Sequence, residues 1–166
     1  MNNLLMKRMG LGGLLLAAGL SSALAATSSA FVEQAAQGGI NEVESGKLAL
    51  EKSANAEVKA FATQMVADHG KANQELLALA GTLDIQVPDD ASLTAKAKKM
   101  ILEMRDESFD KAYVDNQVVA HKETVALFKK EVASSDKPEL KAFAEKTLPT
   151  LEHHLEMAQQ LQSQLK

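Results

Sequence analysis

The chain of 166 residues contains no cysteine, no tryptophan, one tyrosine and three prolines. Without cysteine there is no disulfide scaffold, thiol nucleophile, cysteine-ligated zinc, iron–sulfur cluster or acylated lipoprotein cysteine. A basic excess is also missing. Eighteen Lys+Arg against 22 Asp+Glu give a formal net charge of −4, which speaks against a nucleic-acid partner because counterion release needs a basic face. His-Glu-x-x-His, Gly-x-Ser-x-Gly and phosphate-loop motifs are absent, so no familiar catalytic signature is present. What remains is 46% hydrophobic with nine glycines, the composition of one globular, helix-rich domain.

The first 25 residues read as a targeting segment. Lys7 and Arg8 precede an apolar run from Met9 to Leu20, followed by Ser21-Ser22-Ala23-Leu24-Ala25. A basic start, a short apolar stretch and an Ala-x-Ala ending make a secretory signal, with cleavage expected after Ala25. The run is well short of the ~20 residues that span a bilayer, and no later stretch of the sequence is long or apolar enough. The expected product is an exported domain, residues 26–166, without a transmembrane span. Losing Lys7 and Arg8 takes its net charge to about −6.

Within that domain the sequence nearly repeats at an offset of 82 residues. Phe31-Val32-Glu33-Gln34 faces Tyr113-Val114-Asp115-Asn116, and Glu57-Val58-Lys59-Ala60-Phe61-Ala62 faces Glu139-Leu140-Lys141-Ala142-Phe143-Ala144. Ungapped agreement of this kind suggests a duplicated helical hairpin. Hairpin one is expected over 29–83, with helices at 29–53 and 56–83 and Asn55 as an N-cap. Hairpin two is expected over 109–165, with helices at 109–133 and 137–164. There Asp136 is the expected cap, Pro138 sits in the first turn and Glu139 completes a capping box. Pro149 falls inside the last helix and should bend it. Apolar residues recur at four and three, as in Val58, Ala62, Met65 and Val114, Val118, Val125, which is the spacing of near-parallel bundle helices. The crossover over 84–108 is long enough to return the chain along the bundle. It should carry a short helix with Leu93, Ala97, Met100 and Met104. The fold class is therefore all-α, a four-helix bundle of two hairpins.

Three histidines stand where that spacing calls for Leu or Val: His69, His121 and His154. His153 lies one step off, and Glu42 borders the apolar face of the first helix among Gly39, Val43, Gly46 and Ala49. Buried imidazoles are costly unless they pair or bind something. Two readings follow. Each histidine could be a core residue satisfied by a neighbour, in a non-catalytic structural or interaction protein of the envelope. Alternatively they bind a transition-metal ion, since imidazole and carboxylate suit Zn, Cu, Fe or Ni. In the second reading His69, His121 and His154 are the ligands, Glu42 is the carboxylate and Asp68 orients an imidazole from outside. Met65 and Met157, near the histidines in sequence, are a weak pointer to Cu(I). A carboxylate-bridged di-iron centre is disfavoured, because Val66, Val118, Thr150 and Leu151 occupy the positions three before the histidines where Glu is needed. The cluster Lys96, Lys98, Lys99 reads as a solvated helix face. No enzyme activity is expected from these residues.

At Glu42-Val43, Gly46 to Ala49, Lys59 to Ala62, Met65 to His69, Phe109 to Val114, His121 and Leu148 to Leu155, the chain resembles an exported bacterial family. This is "domain of unknown function 4142", whose members are often labelled membrane or outer-membrane proteins. The resemblance runs over Phe31–Leu161. It implies a ferritin-like bundle in the periplasm with histidines at His69, His121 and His154, and it implies no activity. The membrane label disagrees with the cleavable signal and the polar chain that follows, and the expectation here is a soluble exported protein.

Overall fold

The computed structural model describes residues 18–87, 93 and 109–165, with side chains from residue 28 onward. Four helices account for nearly all of them: α1 (Ala18–Lys52), α2 (Ala56–Thr82), α3 (Phe109–Ser134) and α4 (Pro138–Gln164). Among the described residues there is no strand, so the chain is an all-α four-helix bundle. No described helix is long and apolar enough to cross a membrane.

Most boundaries follow local chemistry. Asn55 caps α2, its side-chain oxygen accepting from the backbone N–H of Glu57 at 2.8 Å and of Val58 at 3.3 Å, which satisfies two of the donors a helix start leaves open. At its other end the Ile85 N–H returns to the Ala80 carbonyl around Asp84, which takes a left-handed φ of 53°. Two expectations need correction. Helix α1 is already helical at Ala18, the first described residue and eleven residues before residue 29, and the Ala/Leu/Ser stretch through Ala25 is compatible with helix. Helix α4 is capped at Lys137 without a side-chain hydrogen bond, not at Asp136. Asp136 is engaged elsewhere, its Oδ1 accepting from Ser28 Oγ at 3.1 Å. Pro138 stands in the first turn as expected, and α4 continues through Pro149.

Helices α1 and α2 form one hairpin and α3 and α4 the other; α1 packs on α3 and α2 on α4. Cross-bundle contacts fix the directions. Phe31 near the start of the described α1 side chains meets Phe128 near the end of α3, at 5.2 Å between ring centroids. At the opposite end Lys52 lies 5.8 Å over the Phe109 ring. Lys146 pairs with Glu75. Each of these pairs is antiparallel, so α2 ends at one end of the bundle and α3 begins at the other. The 27 residues of α2 span about 40 Å, and the connection must cover that distance. Within it the short helix and the lysine cluster lie outside the described residues, apart from Leu93. Leu93 is fully buried, and its carbonyl accepts from Gln37 Nε2 at 3.1 Å.

The interior has three layers. One apolar cluster gathers Phe31, Val32, Leu76, Phe128, Leu140 and Phe143. A second gathers Ala49, Val58, Phe61, Met65, Tyr113 and Leu161. On all four helices the residues between these clusters include buried polar groups: Glu42 and Ser45 on α1, His69 on α2, Gln117 and His121 on α3, and His154 on α4.

Helix α1 approaches α2 closely through glycine. A Cβ at Gly46 would stand 2.9 Å from Val66 Cγ2 and 3.1 Å from the Ala62 carbonyl oxygen, whereas one at Gly70 would meet nothing within 4 Å. Gly46→Ala should therefore cost about 1–3 kcal/mol through overpacking. Gly70→Ala should gain about 0.5–1 kcal/mol from helix propensity. Chemical denaturation of the two variants checks the sign; stabilisation by Gly46→Ala would refute the close packing.

Candidate metal centre

The three histidines come from three helices and meet in the polar layer. Their ring centroids form a nearly equilateral triangle, with His69–His154 at 5.3 Å, His69–His121 at 5.4 Å and His121–His154 at 5.5 Å. One ring nitrogen from each can be chosen so that all three lie within 4.8 Å of one another. Ligands held ~2 Å from a common ion must be this close. All three are buried: His154 is 0% exposed, His121 1% and His69 6%.

Hydrogen bonds assign the outward and inward nitrogens. His121 Nδ1 lies 2.9 Å from the Gln117 carbonyl, so Nδ1 carries the proton and Nε2 holds a lone pair. His154 Nε2 lies 2.9 Å from Asp68 Oδ2, so Nε2–H donates there and the lone pair of Nδ1 remains. That Nδ1 is buried and has no partner. His69 Nε2 stands 3.3 Å from His121 Nε2, and in the absence of a cation it must donate to it. Asp68, expected to orient an imidazole if a metal binds, accepts this hydrogen bond from His154. His153 is exposed.

Glu42 is buried but stands apart from this group. Its side chain bonds that of Gln117, its Oε2 is unpartnered, and it lies beside Tyr113, whose buried hydroxyl also lacks a partner. Gln117 links the two sets: its backbone carbonyl holds His121, while its side chain reaches Glu42 and, at 3.4 Å, Ser45 Oγ. Met65 is fully buried and packs in an apolar cluster, against which Met157 also packs. Gln117, Ser45 and Tyr113 were not singled out in the sequence. The signal was present for two of them, since Tyr113 and Gln117 precede His121 by eight and four residues on the same helical stripe.

Burial sets the charge state of the layer. Desolvation lowers the pKa of His69 well below the usual 6.5, with help from His121 and His154. It lowers His121 to about 4, opposed by the bond to Gln117, and it lowers His154 against the pull of Asp68. Glu42 is pushed up to about 7 by desolvation, partly offset by Gln117. Near neutral pH the three imidazoles are uncharged, with lone pairs available.

These shifts fix the acid response of the metal-free protein. An unfolded histidine takes a proton near pH 6.5 that the folded one refuses. The histidines therefore contribute full stability above pH 6.5, and it is lost as pH falls through their lowered pKa values, about 4 for His121. Glu42 acts oppositely: the folded state keeps a proton that the unfolded state releases, so its contribution is present below about pH 4.5 and lost as pH rises through about 7. Between pH 6.5 and 4.5 the three histidines outweigh the one carboxylate, so unfolding takes up protons and stability falls with acid. Denaturation midpoints measured across pH 4.5–6.5 should fall steeply with acid. A flat profile would show that the imidazoles titrate normally.

No curated protein and no solved structure matches the chain. A family model does match, that of the Domain of unknown function (DUF4142), over residues 15–161. The match takes in all four helices of the bundle except the last three residues of α4, together with the three converging histidines, and the chain belongs to that family.

Proposed function

We propose that this protein is an exported, periplasmic, ferritin-like metal-binding module that holds one transition-metal ion on His69, His121 and His154. The convergence of three neutral imidazoles within 4.8 Å, with His154 Nδ1 buried and unpartnered, carries the reading. If the histidines served packing alone, that nitrogen would be desolvated for nothing, a cost of about 1–3 kcal/mol. A cation accepts all three lone pairs at once. Three imidazoles suit Zn²⁺, Cu²⁺, Ni²⁺ or Co²⁺ and leave a position for water or another ligand. Asp68 fixes the His154 tautomer and makes the ring a better donor. Glu42 sits one step out in this reading, reaching the site through Gln117. Export is supported by the signal pattern of residues 1–25. A ferritin-like ancestry by hairpin duplication is supported by the single long crossover and the 82-residue offset. The site carries no assigned reaction.

Titration of metal-free protein with Co²⁺ should saturate at one ion per chain, with a visible spectrum of low-symmetry nitrogen coordination. His69→Leu, His121→Leu and His154→Leu should each abolish stoichiometric binding, and Asp68→Asn should weaken it about 10–100-fold. Should the unaltered protein bind no ion while His154→Leu leaves stability equal or higher, the histidines are core residues and the proposal fails. Export is tested separately by sequencing the N-terminus of protein recovered from the periplasm. Ala26 is the expected first residue, and a full-length cytoplasmic chain would refute export.

A further inference from the structure

A second feature lies between α1 and α3, where a cleft of about 420 Å³ opens. Its charged lining is of one sign. Glu33 and Glu42 on α1 and Glu123 on α3 line it, and among the described residues neither Lys nor Arg does. Glu33 and Glu123 are exposed. Glu42 is only 5% exposed, lines the cleft and leaves its Oε2 without a partner. Gln37 repeats the pattern. Its Nε2 is committed to Asn41 Oδ1 at 2.9 Å and to the Leu93 carbonyl, while its Oε1 is buried and unpartnered. Two residues that line the cleft therefore each hold a buried acceptor in want of a donor.

The walls add a second chemistry. Val119 is 55% exposed, the one large hydrophobic side chain so exposed among the described residues, and Leu127 lies two turns further along the same face of α3. A hydrated metal ion has no use for such walls. Nor can Glu33 and Glu42, nine residues and about 13 Å apart along α1, converge on one ion. A flexible chain carrying several N–H donors and positive charges, joined by methylenes, meets every requirement.

We propose that this cleft binds a linear aliphatic polyamine, its ammonium groups on Glu33, Glu42 and Glu123 and its methylenes along Val119 and Leu127. The site uses none of the three histidines and is independent of the metal reading. Calorimetric titration of the purified protein with spermidine at low salt should show saturable 1:1 binding. Glu42→Gln, nearly isosteric, should weaken binding at least about tenfold, the scale of one lost charge-assisted hydrogen bond. The exposed variant Glu123→Gln, which puts no core contact at risk, should weaken it several-fold. Glu156→Gln, on the exposed face of α4, and His154→Leu should bind as the unaltered protein does, so this reading and the metal reading fail separately. Absence of saturable binding overturns the proposal. So does spermidine binding indifferent to both Glu42→Gln and Glu123→Gln, which would be attraction to net charge alone. Mg²⁺ that binds with the same dependence on these two variants would give the cleft to an inorganic cation and equally overturn it.

Discussion

Buried imidazole nitrogens and carboxylate oxygens must find donors or acceptors inside the bundle, and the organisation of this protein turns on that constraint. Two apolar clusters close both ends of the interior and leave the middle to Glu42, Ser45, His69, Gln117, His121 and His154. In such surroundings a satisfied network rigidifies a core, and an unsatisfied one costs stability. The layer is satisfied only in part. His121 and His154 are anchored outward by Gln117 and Asp68, while His154 Nδ1, Glu42 Oε2, Tyr113 Oη and Gln117 Oε1 have no partner. The outward anchors are what aim the remaining lone pairs at one another.

Helix pairing determines which groups share the layer. The antiparallel pairing of α2 with α4 brings Asp68 to His154, and the adjacency of α1 and α3 brings Glu42 to Gln117. Position 39, which the 82-residue offset sets opposite His121, holds glycine. A Cβ there would collide with the Asn73 amide, at 1.9 Å from its Oδ1. The space a fourth inward side chain would need on α1 is filled from α2. The imidazole group is consequently three-membered and one-sided, and α1 contributes its carboxylate one turn further on, toward the cleft.

The helices and their apolar faces were legible because heptad-like spacing and Asn55 are local signals. Val58, Ala62, Met65, Val114, Val118 and Val125 are buried where the spacing put them. The histidines were legible for the same reason, as polar residues interrupting an apolar row. The α4 cap was misjudged because Asp136 has a tertiary partner, Ser28, 108 positions away, which no capping rule anticipates. The cleft was not legible at all. Glu33, Glu123 and Val119 are ordinary surface residues in sequence, and their convergence depends on how closely α1 approaches α3.

The unpaired atoms of the layer bear on stability as well as on binding. Each buried donor or acceptor without a partner lowers the stability of the empty protein by an amount that a fitting cation would return. A ligand that binds only the folded state stabilises it further by mass action. The lowered histidine pKa values strengthen the coupling near neutrality, because the rings are already neutral and only the His69 proton donated to His121 Nε2 has to shift to the other ring nitrogen. Under the proposed metal reading, the same unpaired groups that cost the bundle stability are the ones an ion in the central layer would engage.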